Sequence, residues 1–412
     1  MKTILIDSTR RSLLAGAFGA GALGLTSKLS VAGTAAAPNG NRFVFVILRG
    51  GLDGLAAVPA VGDASFAAAR GALALAAGTA LALDPTFALH PSLTQLHAMY
   101  GRGELAVVHA TGLSYHERSH FDAQQVLESG GTRPFEIGTG WLGRALASAS
   151  TRSIALSTTV PLVLRGPGVV DTWAPTVGKG DAIDPAADLV ARLERLYADD
   201  PALATALNRA RALHLDDAMP ADLAHPGEMA MNNPAAATRR GNFTVLAQRA
   251  ADFLTQPGGP QAAVLEMGGW DTHANQANPN GPLANGLRQL DTGLAALRDG
   301  LVAGSAWGRT VIVVATEFGR QVAINGTLGT DHGSGGAAFV LGGPVRGGRV
   351  IADWPGLAAR DRFEGRDLRT TTDLRGVLKG VLADHLQVAS RALNTDVFPG
   401  SEAVRGVALL KG

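Results

Sequence analysis

No cysteine occurs among the 412 residues of the chain. Disulfides are therefore excluded, and with them thiolate metal sites, zinc fingers and iron–sulfur clusters. Any bound metal must be held by imidazole and carboxylate groups, which suit Zn, Mn, Mg or Ca. Charge is scarce as well: 17% of residues are charged and the formal net charge is +1, against a usual charged share of about 25%. With no basic block, nothing points to a nucleic-acid partner. The apolar stretch Leu13 to Leu25 is shorter than the ~20 residues that cross a bilayer, so no stable span is expected in the mature protein.

What is present is small and apolar. Glycine occurs 53 times and hydrophobic residues make up 46% of the chain, a composition suited to close packing and backbone loops. The length allows one large α/β domain or two smaller ones, with a sizeable core in either case.

The N-terminus reads as a targeting segment rather than as part of the fold. Arg10-Arg11 precedes the apolar stretch, and small residues follow through "SVAGTAAAP". That is the layout of a twin-arginine export signal, assigned to residues 1–37, with cleavage expected between Ala32 and Ala37. The mature protein is then expected in the periplasm or secreted, after handling by the twin-arginine machinery. That route carries folded proteins, so a metal could be loaded before export.

From residue 41 to 412 the pattern is that of a single α/β domain. Phe43 to Leu48 is a continuous apolar run, as in a strand buried on both faces of a parallel sheet. Similar runs are Leu105 to His109, Ala262 to Leu265, "TVIVVATEFGR" and "AAFVLGG". A helix opens near Ser119 and stops at Gly130-Gly131. Leu283, Leu287, Leu290, Leu294, Leu297 and Leu301 recur at steps of four and three, giving one apolar helix face. "TTDLRGVLKGVLADHL" is helical too, and residues from about 180 to 256 read as a helical insertion or a flank of the same domain. Strands alternating with helices indicate a doubly wound, mainly parallel sheet.

In such sheets ligands collect outside the carboxyl ends of the strands. The first run is followed by Gly50-Gly51 and Asp53, and the second by His116, Ser119 and His120. The third leads to Asp271 and His273 in "GGWDTHANQ", the fourth ends in Glu317, and Asp331 and His332 precede the last strand. Gathered in one crevice these carboxylates repel each other and are expensive to desolvate, a strain that divalent cations relieve. Each piece alone has a plainer reading. Asp53 after two glycines reads first as a turn or helix-cap residue, Glu317 and Arg320 read as an ion pair, and "WDTH" reads either as ligands or as a hydrogen-bonding loop. His90 and His97 lie in apolar surroundings and read as packed or surface residues.

Taken together, "FVFVILRGGLDGL", "ERSHFDAQQVLESG", "GTGWLGRAL", "GGWDTHANQ", "VIVVATEFGR" and "GTDHGSGGAAFVLGG" resemble a bacterial family catalogued as domain of unknown function 1501. The likeness runs through nearly the whole mature chain. That family is similar to the alkaline-phosphatase and sulfatase superfamily, which implies a doubly wound sheet and one or two divalent metals. By that resemblance Asp53 matches a ligand after the first strand, and Ser119 sits in the nucleophile position, with His120 as its alternate and a helix N-cap as its plainer role. Asp271 and His273 resemble the paired ligands of one metal, His332 the last His ligand, and Glu317 falls where an Asp-His pair ends a strand. The spacing departs from the superfamily: Asp271 and His273 are two apart instead of four, with Asn275 in the fourth place, and Phe318 follows Glu317 where an imidazole is usual. Lacking cysteine, the chain has no precursor for formylglycine.

These readings lead to an exported metal-dependent hydrolase of phosphate or related anionic esters. Asp271, His273 and His332, with Asp331 alongside, would hold one cation, while Asp53 and Glu317 would hold or bridge a second. Ser119 or an activated water would attack, and Arg118 or Arg320 would clamp the anion. The rival expectations are a non-catalytic exported binding or assembly protein that keeps the fold, and an enzyme acting on substituents of an extracellular or envelope polysaccharide.

Overall fold

The computed structural model describes residues 40–75, 78–147, 151–175, 187–201, 203–208 and 243–412. The export signal assigned to residues 1–37 lies outside them, as do residues 180–186 and 209–242 of the expected helical insertion.

The described strands are β1 (Arg42–Arg49), β2 (Leu81–Ala82), β3 (Ala88–Leu89), β4 (Leu105–Gly112), β5 (Arg152–Ala155), β6 (Val169–Thr172), β7 (Ala262–Gly268), β8 (Thr310–Thr316), β9 (Gly336–Gly342), β10 (Arg349–Ile351) and β11 (Thr372–Asp373). The helices that matter below are α1 (Gly54–Ala57), α2 (Phe66–Arg70), α3 (Thr94–Gly101), α4 (His120–Ser129), α5 (Trp141–Ala147), α6 (Ala187–Tyr197), α7 (Phe243–Thr255), α8 (Pro282–Ala303) and α9 (Leu374–Leu386). Nine strands form one sheet in the order β10-β4-β9-β8-β1-β7-β5-β6, with β11 also pairing with β4, and β2 pairs separately with β3. Every pairing in the large sheet is parallel except those of β9, which runs antiparallel to both β4 and β8. The α/β architecture with a mainly parallel sheet is thus the fold the chain adopts.

β1 lies at the centre of the sheet, and its apolar residues divide strictly by parity because successive strand side chains point to opposite faces. Phe43, Phe45 and Ile47 join one apolar layer with Trp141, Leu127, Val377 and Val381, from α4, α5 and α9. Val44, Val46 and Leu48 join the other with Leu96, Phe243, Ala247 and Leu287, from α3, α7 and α8. Helices therefore cover both faces, which is why the strands read as continuous apolar runs.

All six periodic leucines of α8 are buried, each contributing about 1.5–3 kcal/mol by leaving water. α7 packs closely on α8, since a Cβ at Gly293 would stand 2.3 Å from the Phe243 ring. Residues 243–255 accordingly belong to the helical layer of the sheet rather than to an insertion. Of the remaining stretch, α6 is a described helix. Among the described residues, no helix is long and apolar enough to cross a membrane.

Candidate metal centre

Parallel strands deliver their carboxyl ends to one rim. β1 ends there at Arg49, β4 at Gly112, β7 at Gly268 and β8 at Thr316. Because β9 is reversed, its beginning reaches the same rim and brings His332, four residues upstream of Gly336, with it. Close approach of the loops demands glycine. Gly50 has φ +117°, and a Cβ there would stand 2.7 Å from the Asp271 amide nitrogen. Gly329 packs on the ligand loop, where a Cβ would lie 2.2 Å from the His273 carbonyl carbon.

The loop after β7 is pinned by Trp270, which is buried and donates its indole N–H to the Met267 carbonyl at 3.0 Å. Asp271 and His273 follow on the exposed side of that anchor. Asn325 holds the loop from above, donating to the His273 carbonyl at 3.0 Å and to Asp331 at 3.1 Å.

Four side chains converge here. Nε2 of His332 lies 3.0 Å from Nε2 of His120, 3.1 Å from Nε2 of His273 and 3.2 Å from Oδ1 of Asp271. The same Asp271 oxygen is 2.9 Å from Nε2 of His273 and 3.5 Å from Nε2 of His120. The outer ring nitrogens explain what faces inward. Nδ1 of His332 meets the Arg118 carbonyl at 2.9 Å, which can only accept, so that nitrogen carries the proton. Nδ1 of His120 donates to the Glu317 carboxylate at 2.8 Å, and Nδ1 of His273 faces Asp331 at 3.3 Å. In their neutral forms all three rings then present bare Nε2 lone pairs to one another and to a carboxylate oxygen.

Four acceptors pointed at one spot repel unless a proton or a cation sits among them. A tetrahedral ion with bonds of about 2.0–2.1 Å sets ligand–ligand edges of roughly 3.3 Å, and the triangle of His120, Asp271 and His332 has edges of 3.0, 3.2 and 3.5 Å. His120, Asp271 and His332 therefore fit a divalent cation, with His273 beside Asp271 and His332 at the edge of the group. His120, Asp271 and His332 alone already offer ligand atoms within 4.8 Å of one another.

The charges around the cluster act in opposite directions on its members. The hydrogen bond to Glu317 raises the pKa of His120, outweighing burial. Burial lowers that of His332. Burial would raise the Asp271 carboxyl, but the Arg320 hydrogen bond and charge hold it below its ordinary value. Asp331 is lowered chiefly by the Asn325 hydrogen bond.

Not every expected ligand joins the cluster. Glu317 is fully buried and stands behind His120: one oxygen accepts from His120, from the Gly50 amide at 2.8 Å and from Gln124 at 3.1 Å, the other from Thr316 at 2.9 Å. It orients an imidazole instead of facing the centre of the site. Asp53 is likewise outside. It is the N-cap of α1, accepting the Ala56 amide at 3.0 Å, and its other oxygen binds Arg70 at 2.6 Å and Gln276. Both partners are buried at 0–1% exposure, so its carboxylate is fully committed to a structural ion pair. Asp331 touches His273 through its Nδ1 side and stays at the periphery.

The expected catalytic residues are also sorted. His120 is part of the cluster itself. Ser119 is the N-cap of α4, accepting the Asp122 amide at 3.5 Å. Arg118 bonds Asp367 at 3.0 Å and Glu364, and reaches the site through its carbonyl. Arg320 is completely buried and spends its donors on the carbonyls of Gly50, Gly51, Trp270 and Thr330 and on Asp271, leaving no free fork for a substrate anion. His116 packs against Phe363 away from the cluster, with ring centroids 5.1 Å apart.

Sequence reasoning missed Arg70, Gln124 and Gln276. Gln276 ties Asp53 to Thr272 and Thr330, accepting from the two hydroxyls at 2.8 and 2.7 Å. Its place in "GGWDTHANQ" was a signal, but Arg70 and Gln124 carry none that is local.

No curated protein matches the chain. Among solved structures it is similar to Ps i-CgsB, with 11% identity and a TM-score of 0.43 over 89% of this chain and 77% of that one. It is also similar to the PsFucS1 sulfatase from Pseudoalteromonas sp., at 12% identity and 0.39 over 89% and 70%. A third is the phosphonate monoester hydrolase of Agrobacterium radiobacter, at 12% identity and 0.40 over 84% and 74%. The family described as "Protein of unknown function (DUF1501)" matches residues 41–392, and the chain belongs to that family.

Proposed function

We propose that the protein is a metal-dependent hydrolase of phosphate, sulfate or related anionic esters, exported by the twin-arginine route to the periplasm or beyond. The observation that carries the metal reading is the convergence of three Nε2 lone pairs and one Asp271 oxygen at a solvent-accessible strand rim. His120, His332 and Asp271 are the ligands in this reading, with His273 beside them. A bound divalent ion supplies Lewis acidity, polarising an ester oxygen and acidifying water.

The chain's own groups do the rest. Glu317 and the Arg118 carbonyl fix the tautomers of His120 and His332, and such outer contacts hold ligand geometry. Arg320 keeps Asp271 ionised. Arg366, which donates to the His332 carbonyl at 2.6 Å and is about one-third exposed, brings positive charge to the mouth for an anionic group. The substrate is a small anionic ester or a substituted envelope polymer. The export reading is supported by Arg10-Arg11 before the apolar stretch Leu13 to Leu25.

The test is metal analysis of the purified protein with a panel of phosphomonoesters, phosphodiesters and sulfate esters. Turnover that vanishes on chelation and in His332→Ala is expected; no bound metal and no such turnover would defeat the reading. A second reading, an exported binding protein that keeps the fold without turnover, is favoured by one observation: the Ser119 hydroxyl is used as a helix cap. Metal uptake without activity on any ester of the panel would select it.

A further inference from the structure

Resting on the metal-dependent reading, we infer that the site takes a single divalent cation, and that the guanidinium of Arg320 permanently fills the place beside it where a second would sit. Arg320 has no exposed side-chain surface. Its nitrogens are ringed by the carbonyl oxygens of Gly50, Gly51, Trp270 and Thr330 and by Oδ1 of Asp271. Four carbonyls and a carboxylate drawn from three loops are the surroundings a hard metal cation takes. Here they enclose a positive charge that is part of the chain.

The remaining carboxylates agree with this count. Asp53 is neutralised by Arg70 and further engaged by Gln276 and the Ala56 amide. Both oxygens of Glu317 are occupied by donors from His120, Gly50, Gln124 and Thr316. Among the described acidic groups of the inner rim, Asp271 alone turns an oxygen toward the imidazole lone pairs, and that oxygen is shared with Arg320. A second dication would stand against a buried guanidinium with no free carboxylate to offset the repulsion. Arg320 is therefore a positioning residue: it joins the loops after β1 and β7 to the segment before β9 and fixes the charge of one ligand.

The experiment counts ions. Chelator-treated full-length protein is titrated with Zn²⁺ and, separately, Mn²⁺ by calorimetry, and bound metal is measured after desalting. One ion per chain is expected. Two would overturn the inference while leaving the metal-dependent reading intact; none would overturn that reading itself. His332→Ala is expected to weaken binding at least tenfold, and unchanged affinity would put the ion elsewhere and overturn the inference. In Arg320→Gln the vacated oxygens are expected to accept a cation, so millimolar Mn²⁺ should restore more of its lost melting temperature than it adds to the wild type. No such restoration would overturn the role given to Arg320.

Discussion

Glu317 accepts the Nδ1–H of His120 at 2.8 Å from a position with no solvent exposure, while the opposite ring nitrogen of His120 lies 3.0 Å from His332. A buried carboxylate thus aims an imidazole at the centre of the site. Outer contacts of this kind are worth about 10–100-fold in metal affinity. Glu317→Gln, which keeps shape but removes the charge, is expected to lose that much in a chelator competition while melting within a few degrees of the wild type.

Asp53 offers the sharpest contrast with a ligand role. Asp53→Asn keeps a side-chain oxygen for the Ala56 amide but strands the buried Arg70 charge. Breaking such a pair costs about 3–5 kcal/mol. A clear drop in melting temperature with unchanged metal content is expected; loss of the ion at unchanged stability would make Asp53 a ligand after all.

Ser119 caps α4 through a long contact of 3.5 Å. Removing a cap costs about 0.5–2 kcal/mol, and this one belongs at the low end. Ser119→Ala is expected to keep its metal and lose little activity in steady-state assays. A fall in kcat of a hundredfold or more would instead make it the nucleophile.

Stability should depend on a histidine that is not a member of the cluster. His109 is completely buried in β4, its Nε2 donating to the Val58 carbonyl at 2.8 Å and its Nδ1 accepting the Ala110 amide. Burial pushes its pKa down from 6.5 to about 4. The unfolded chain takes up the proton below about 6.5 and the folded chain does not until about 4, so stability is lost as pH falls through that window. The loss approaches about 3 kcal/mol. Chemical denaturation at pH 7 and pH 4.5 should show it, and a neutral replacement such as His109→Gln should flatten the difference.

Much of the frame was legible because burial on both faces forces continuous apolar runs. Phe43 to Leu48 and the leucines of α8 marked a strand buried on both faces and a helix with one apolar face for the sheet. The reversal of β9 was not legible, since a strand buried on both faces reads the same in either direction. β5 escaped because Arg152–Ala155 carries too short an apolar run. At the site, strand ends indicated which residues gather, and Asp271, His273 and His332 do. They could not indicate which carboxylate faces inward. That depends on partners such as Arg70 for Asp53 and His120 for Glu317, brought together across the chain by the fold alone.

The reversed strand has one more effect, on the order of events during synthesis. His120 and His332 are 212 positions apart, and the second arrives only with the segment that leads into β9. Every shorter nascent chain has an incomplete set of ligands and an open edge on β8, where β9 belongs. A cation can thus be held by His120, Asp271 and His332 together only once synthesis has passed the segment that leads into β9.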